Sequence, residues 1–402
     1  MTQKNKLPKD WKYKTLGEIL KISSGSGLTK SKRNDEGEFL VYGGNGITGK
    51  HSEYLFEEER FIIGRVGVHC GNAYITKPKS WVTDNAFVVS FNEVEINKKF
   101  LLHLIGVLNL NKYSVSTAQP VISQGTIYPI EITLPPLDTQ HLIVSKIEEL
   151  FSELDKGIED LKTSQLQLKT YRQSVLKYAF EGKLTNKKVK EAELPKSWDW
   201  VKIEFLLFDT KKGMSTGPFG TMLKKYEHQK DGIPVLGIEN IGEGVFQLPN
   251  KIFITSEKAK ELKNFVVIEN DIIISRSGTV GEICLLPKKM ENSIISTNLI
   301  RVRLNQKIIN PKYFVYLFQG GKVRQEVFDL CKGSSRAFLN QTILKSLNFP
   351  YCEINEQNRV IQEIESRLSV ADKMEESITQ SLQQSEILRQ SILKKAFSGE
   401  LV

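Results

Sequence analysis

Two stretches of the chain carry apolar or small residues at steps of three and four. In the first they fall at Ile143, Ile147, Leu150, Leu154, Ile158, Leu161, Leu168, Val175 and Ala179. In the second they fall at Val360, Ile364, Ala371, Ile378, Leu382, Leu388, Ile392 and Ala396, with polar and charged residues between. Spacing of this kind, held this long, predicts two amphipathic helices with a coiled-coil seam. Pro135 and Pro136 with Asp138, and Pro350 with Asn355, supply stop and N-cap chemistry ahead of them. Gly182 and Gly399 stand where a left-handed C-cap residue belongs. At 1.5 Å per residue, each helix would be about 65 Å long. Neither could bury its stripe alone, and each offers the other a partner.

The two helices are copies of one another. RQSVLKYAFEGKL at 172–184 and RQSILKKAFSGEL at 389–401 agree at nine of thirteen positions, with a constant offset of 217. At the same offset Gln140 falls on Gln357, Glu148 on Glu365 and Asp155 on Asp372. LPKDW at 7–11 and LPKSW at 194–198 open two matching halves. The chain therefore reads as globular part, rod, globular part, rod. The predicted boundaries are 1–137, rod region 138–184, a charged linker 185–193 (TNKKVKEAE), 194–354 and rod region 355–402. Within the globular parts, β-rich runs such as RFII at 60–63 and DIII at 271–274 alternate with Gly, Asn and Ser loops. KKFLLHLIG at 98–106 and PKYFVYLFQ at 311–319 read as helices. The fold class is α+β, two mixed globular parts joined by two long helices.

The globular parts match at several points. FIIGR at 61–65 answers IIISR at 272–276, each followed by a glycine-bearing loop. VTDNAFVV at 82–89 answers ISTNLIRV at 295–302, setting Asn85 on Asn298; further on, Gln119 meets Arg336 and Ser123 meets Asn340. The polar loops diverge. KSKR at 30–33 and YGGNGITGKH at 42–51 have no counterpart in MSTGPFGTMLKK at 214–225. A shared framework with unlike loops suits two readers of different sequences, because base-edge readout rests on a few side chains.

Charge points the same way. A net charge of +9 and a pI near 9.1 favour a polyanionic partner. Lys30, Lys32 and Arg33 form a basic cluster suited to phosphate contact, with plain solvated surface as the alternative. Asn45 and Lys50 sit on a glycine-rich turn that could reach DNA. Arg65 and Arg276 end equivalent strands, as base or phosphate contacts or as internal ion pairs. Gln119, Ser123, Arg336 and Asn340 have side chains suited to base edges. Lys211, Lys212, Lys224 and Lys225 flank GPFG as candidate backbone anchors, while Trp11, Trp198 and Trp200 read as packing anchors.

Catalytic chemistry is missing from the pattern. The run at 44–51 nearly spells a phosphate-binding P-loop but ends in His51, which cannot serve as the hydroxyl ligand to magnesium. The five histidines and four cysteines are scattered without metal-ligand spacing. Pro135-Pro136 is flanked by Leu134 and Leu137, whereas adenine methylation needs Asn/Asp-Pro-Pro-aromatic. The N-terminus lacks an apolar leader and no apolar run approaches a membrane span, so a reduced, cytoplasmic protein is expected.

With the rods, the LPxxW openings, YGGNGITGKH, GPFGTML and the LPPLDTQ lead-in at 134–140, the chain resembles the specificity subunits of type I restriction-modification systems over essentially its full length. The resemblance implies that each globular part is a target-recognition domain for one half of a split double-stranded DNA target. It implies long helices packed antiparallel with pseudo-twofold symmetry, serving as a spacer that docks two methyltransferase subunits. S-adenosylmethionine would be bound by those subunits, and ATP and magnesium by restriction subunits where a system has them. This chain would bind no cofactor and catalyse nothing. Two readers on one face of a duplex need centres about one turn apart, roughly 34–36 Å or a multiple. The specificity chain of another multisubunit restriction enzyme and a coiled-coil scaffold that binds only protein remain alternatives.

Overall fold

The computed structural model describes residues 8–29, 33–34, 36–115, 119–186, 189–190, 193–242, 244–331 and 338–402. It divides into two compact units, residues 1–162 with 379–402, and residues 163–378. Each long helix therefore gives one part to each unit.

In the first unit, four antiparallel strands lie in the order Leu20–Ser24, Ala86–Phe91, Phe61–Gly64, Ala73–Ile75. A second sheet sets Phe39–Gly43 between Gly46–His51 and Ser80–Val82, parallel to the latter. Lys12–Thr15 and Glu131–Leu134 form a separate ribbon. Side chains alternate along the central strands, as a period of two requires. Phe61, Ile63, Phe87 and Val89 enter one core with the helix Lys98–Leu108, while Ile62 and Val88 enter another with Tyr42 and Val82. The first core takes in Ile143, Val144 and Ile147 of one long helix and Ile392 and Ala396 of the other.

The second unit repeats this plan. Its four-stranded sheet runs Met214–Thr216, Leu299–Val302, Ile272–Ser275, Ile283–Leu285, all antiparallel. Its three-stranded sheet sets Ile233–Leu236 between Ile252–Ile254 and a parallel Ile294–Ile295. Asp199–Val201 pairs with Phe349–Tyr351, and the helix Pro311–Gln319 takes the place of Lys98–Leu108. Its main core gathers Ile272, Ile274, Phe314 and Phe318 with Val175 and Ala179 of one long helix and Val360 and Ile364 of the other. Among the described residues, the helices Ser256–Glu261 and Gly321–Cys331 have no counterpart in the first unit.

The predicted rods are single helices, Leu137–Phe180 and Ile354–Ser398. They begin one residue earlier than expected: Asp138 and Asn355, read as N-caps, lie inside the first turn, where Gln140 N–H already bonds Pro136 O and Gln357 N–H bonds Glu353 O. Both end as predicted, Gly182 and Gly399 taking φ of +72° and +79°. A Cβ on Gly182 would strike the ring of Pro195, and one on Gly399 the ring of Pro8, so the two LPxxW openings seat on equivalent helix ends.

Matched residues fasten the helices. Gln140 is fully buried; it accepts from Asn97 N–H (2.8 Å) and donates to Glu95 O and Pro135 O (both 2.9 Å). Gln357, equally buried, accepts from Asn310 N–H (2.8 Å) and donates to Ile308 O (2.8 Å) and Cys352 O (2.7 Å). In the first unit Arg389 pairs with Asp155 and lies over Phe151. In the second, Arg172 reaches Asp372 at 2.6 Å and Glu375 at 2.8 Å. Each unit thus joins the later part of one long helix to the earlier part of the other, which is antiparallel pairing. Among the described residues no helix is long and apolar enough to cross a membrane.

Candidate nucleic-acid interface

The central strand of each four-stranded sheet runs straight into an arginine. Arg65 N–H bonds Asn85 O (2.9 Å) and Arg65 O accepts from Ile122 N–H (3.0 Å). Arg276 N–H bonds Asn298 O and Arg276 O accepts from Leu339 N–H, both at 2.9 Å. The expected matches of Arg65 with Arg276 and Asn85 with Asn298 are therefore carried by the same backbone bonds. Ile122 and Leu339 stand just before Ser123 and Asn340, so that pair is brought to the same sheet end.

One sequence reading is corrected. The KSKR loop was expected to have no counterpart, yet it follows Leu20–Ser24 as the GPFG loop follows Met214–Thr216, the equivalent edge strand. Gly25 N–H bonds Ala86 O and Gly217 N–H bonds Leu299 O, both at 3.1 Å. A Cβ on Gly25 would strike the carbonyls of Val82 and Thr83, and one on Gly217 those of Ile295 and Ser296. Only glycine lets either loop leave its strand across the neighbouring turn. The hairpin at 42–51 corresponds instead to the strands Ile233–Leu236 and Ile252–Ile254.

The first unit collects several predicted residues. Lys30 and Lys32 lie outside the described residues, but Arg33 donates from Nη1 to Thr48 O (3.1 Å) and Asn34 N–H bonds Lys50 O (3.1 Å). The basic loop is thereby tied to the hairpin that carries exposed Lys50. Asn45, exposed at the hairpin turn, accepts from Tyr74 Oη (3.3 Å). Arg65 is half-buried over Phe87 and donates to Ser24 Oγ at 3.5 Å. Gln119 is exposed. Ser123 caps the short helix Gln124–Ile127, accepting from Thr126 N–H. The 44–51 run is a tight turn followed by the strand Gly46–His51, so no helix N-terminus follows it to hold a phosphate.

In the second unit the same sheet end brings together Arg276, Asn340 and the start of the loop that runs on to Lys224 and Lys225, whose intervening Leu223 packs on the three-stranded sheet. Asn340 caps Gln341–Ser346, accepting from Ile343 N–H (2.8 Å). Lys224 lies over the ring of exposed Tyr226, and Arg336 lies outside the described residues. Lys211 and Lys212 do not join them. They precede Met214–Thr216, and the register Met214–Val302–Ile272 against Thr216–Ile300–Ile274 sets them at the opposite end of the sheet from Arg276. There the backbone N–H groups of Lys212 and Lys211 bond the Asp209 carboxylate and hold its pKa below the ordinary value.

Arg276 is the most unusual charge here. It is 6% exposed, its Nη1 donates to Thr297 O (3.3 Å), and its buried Nε has no partner. Burial lowers its pKa, though from a value high enough that the group stays charged. Arg303, by contrast, makes two 2.7 Å bonds to buried Asp271. Sequence reasoning missed Phe219 and Phe338, whose rings lie 5.2 Å and 4.0 Å from the Arg276 guanidinium. The aromatic residue inside GPFG was the available signal. Trp198 is buried in the main core as expected, whereas Trp200 is exposed beneath Lys322.

A family described as the type I restriction modification DNA specificity domain matches residues 8–163 and 219–384. The specificity subunit of the type I restriction enzyme EcoBI from Escherichia coli is 25% identical, over 97% of this chain and 86% of its own. That of MjaVIII from Methanocaldococcus jannaschii is 20% identical over 98% and 94%. Among solved structures, the HsdS subunit from Thermoanaerobacter tengcongensis has the same fold at a TM-score of 0.60 and 18% identity, covering 99% of each chain. A chain from a type I R-M system, solved to follow complex assembly and conformational transition, gives 0.75 at 18% identity, covering 98% of this chain and 99% of that one.

Proposed function

The chain belongs to the type I restriction modification DNA specificity family, and on that footing we propose that it reads an asymmetric, bipartite double-stranded DNA target, one half per unit. The observation that carries this reading is the repeated framework with unlike loops. Both units end a four-stranded sheet in an equivalent arginine, but the loop that follows the equivalent edge strand reads GSGLTKSKR at 25–33 in one and GPFGTMLKK at 217–225 in the other. Arg33, Lys50, Lys224 and Lys225, with Lys30, Lys32 and Arg336, supply phosphate contacts that fix position. Asn45, Gln119 and Arg65 are the candidates for reading bases or the backbone beside them, whereas Arg276, buried beneath Phe219 and Phe338, acts by positioning its neighbours. Ser123 and Asn340 act chiefly as caps that shape the loops.

In this proposal the long helices serve as spacer and as docking surface for two methyltransferase subunits, and for restriction subunits where the system has them. The chain itself makes and breaks no bond and works in the cytoplasm. S-adenosylmethionine, ATP and magnesium belong to the partners. The test is duplex binding by the full chain assembled with its co-expressed methyltransferase subunits, followed across a salt series. Replacing Lys224 and Lys225 together by Ala should weaken target and random duplex alike and reduce the salt slope by about 2. An unchanged slope would remove this loop from the interface.

A further inference from the structure

We propose that Phe219 is a base-contacting residue of the second unit, an apolar ring held out to meet the flat apolar surface of a nucleobase, with Arg276 and Phe338 positioning it. The proposal rests on the DNA-reading function above and assigns a specificity residue within it.

Phe219 is 56% exposed, yet its loop is fixed at several points. Gly217 N–H bonds Leu299 O, Thr297 Oγ1 donates to Pro218 O, Gln341 Nε2 donates to Thr216 Oγ1 (3.0 Å) and Met222 N–H closes onto Phe219 O (2.9 Å). A phenyl ring presented on a fixed loop forgoes the stabilisation of burial. Beneath it lies Arg276, with Phe338 as the closer ring and itself partly exposed. Among the described residues no carboxylate pairs with Arg276, so the two aromatic rings stand in for lost hydration. The cation thus holds the phenyl ring in place while leaving more than half of it in solvent.

The surroundings fit a nucleic acid. Phe219 stands at the sheet end that carries Asn298 and Asn340, and Lys224 and Lys225 follow it in the chain at the start of a short 3-10 turn. Apolar side chains contribute to DNA readout by meeting a thymine methyl group or by wedging against a base step. The equivalent loop of the first unit has no aromatic residue between 25 and 34; its Leu28 is buried, and Arg65 lies over Phe87 of its own sheet. The two readers therefore differ in kind at this point.

The test uses the full chain with its methyltransferase subunits, the duplex target identified from host methylation, and a duplex with the second half-target scrambled. Phe219→Ala should bind the target roughly ten- to a hundredfold more weakly, with scrambled-duplex affinity and salt slope unchanged, because an apolar contact releases no counterion. Phe219→Leu, which keeps an apolar cover over Arg276, should fold as the parent does and keep an intermediate preference, between those of Phe219→Ala and the parent. Arg276→Lys should lose part of it, since an ammonium cannot stack as a guanidinium does. Contact with a thymine methyl means that uracil at one position weakens the parent but not Phe219→Ala. Wedging means that 2-aminopurine at one step brightens with the parent only. Equal affinity of Phe219→Ala and parent for the target, an equal loss on both duplexes, or neither probe responding anywhere in the second half-target overturns the proposal. A parent that fails to distinguish the two duplexes overturns the DNA-reading function itself.

Discussion

Gln140 and Gln357 show how much a single buried amide can hold. Each satisfies one backbone donor and two carbonyls at a point closed to water, and each ties the globular part to the first turns of a long helix. Replacing Gln140 by Ala leaves the Asn97 N–H and two carbonyls unpaired, so a loss of about 2–4 kcal/mol is expected in urea unfolding, with a similar loss for Gln357→Ala. A loss below about 0.5 kcal/mol for either would contradict the latch. The sequence aligns these glutamines but does not say why, because two of the three partners of each arrive from more than forty residues upstream. Ser123 and Asn340 were legible as a matched pair, yet their side chains are spent on helices of four and six residues, too short to leave a periodic trace. Phe219 was hidden for the opposite reason: an isolated aromatic in a polar loop looks the same whether it packs or protrudes.

At the scale of elements, the long helices were the most legible feature, since periodicity accumulates over many turns. Their starts were displaced by one residue, within the usual uncertainty of helix ends. The equivalence of Gly25 and Gly217 was concealed by insertions. The offset between copies is 217 along the helices, 211 at Arg65 and Arg276, and 192 at these glycines. Only strand order restores the match. The ion pairs give the helices a checkable register: Arg389 with Asp155, Arg172 with Asp372. In both pairs the carboxylate is exposed while the arginine is mostly covered, so Arg389→Asp should cost about 1–2 kcal/mol, and adding Asp155→Arg should recover part of it. A double-mutant cycle that finds no coupling between Arg389 and Asp155 would contradict the antiparallel register.

The whole molecule is two copies of one plan whose long helices are shared between them. The first unit is completed by the chain's last residues, 379–402, and the second is continuous, which is why a division at helix boundaries drawn from the sequence does not coincide with the compact units. Core residues were legible because both faces of the central sheets are buried and their strands are rich in Ile, Val and Phe. The target itself is not written in the sequence in any readable form, since it depends on loop geometry. The most direct test exchanges residues 12–130 for the corresponding segment of another specificity subunit, keeping both long helices, and maps methylated adenines across the host genome. One half of the methylated target should change while the other half and the gap between them stay as they were; a change in both halves, or in neither, would contradict two independent readers on one chain.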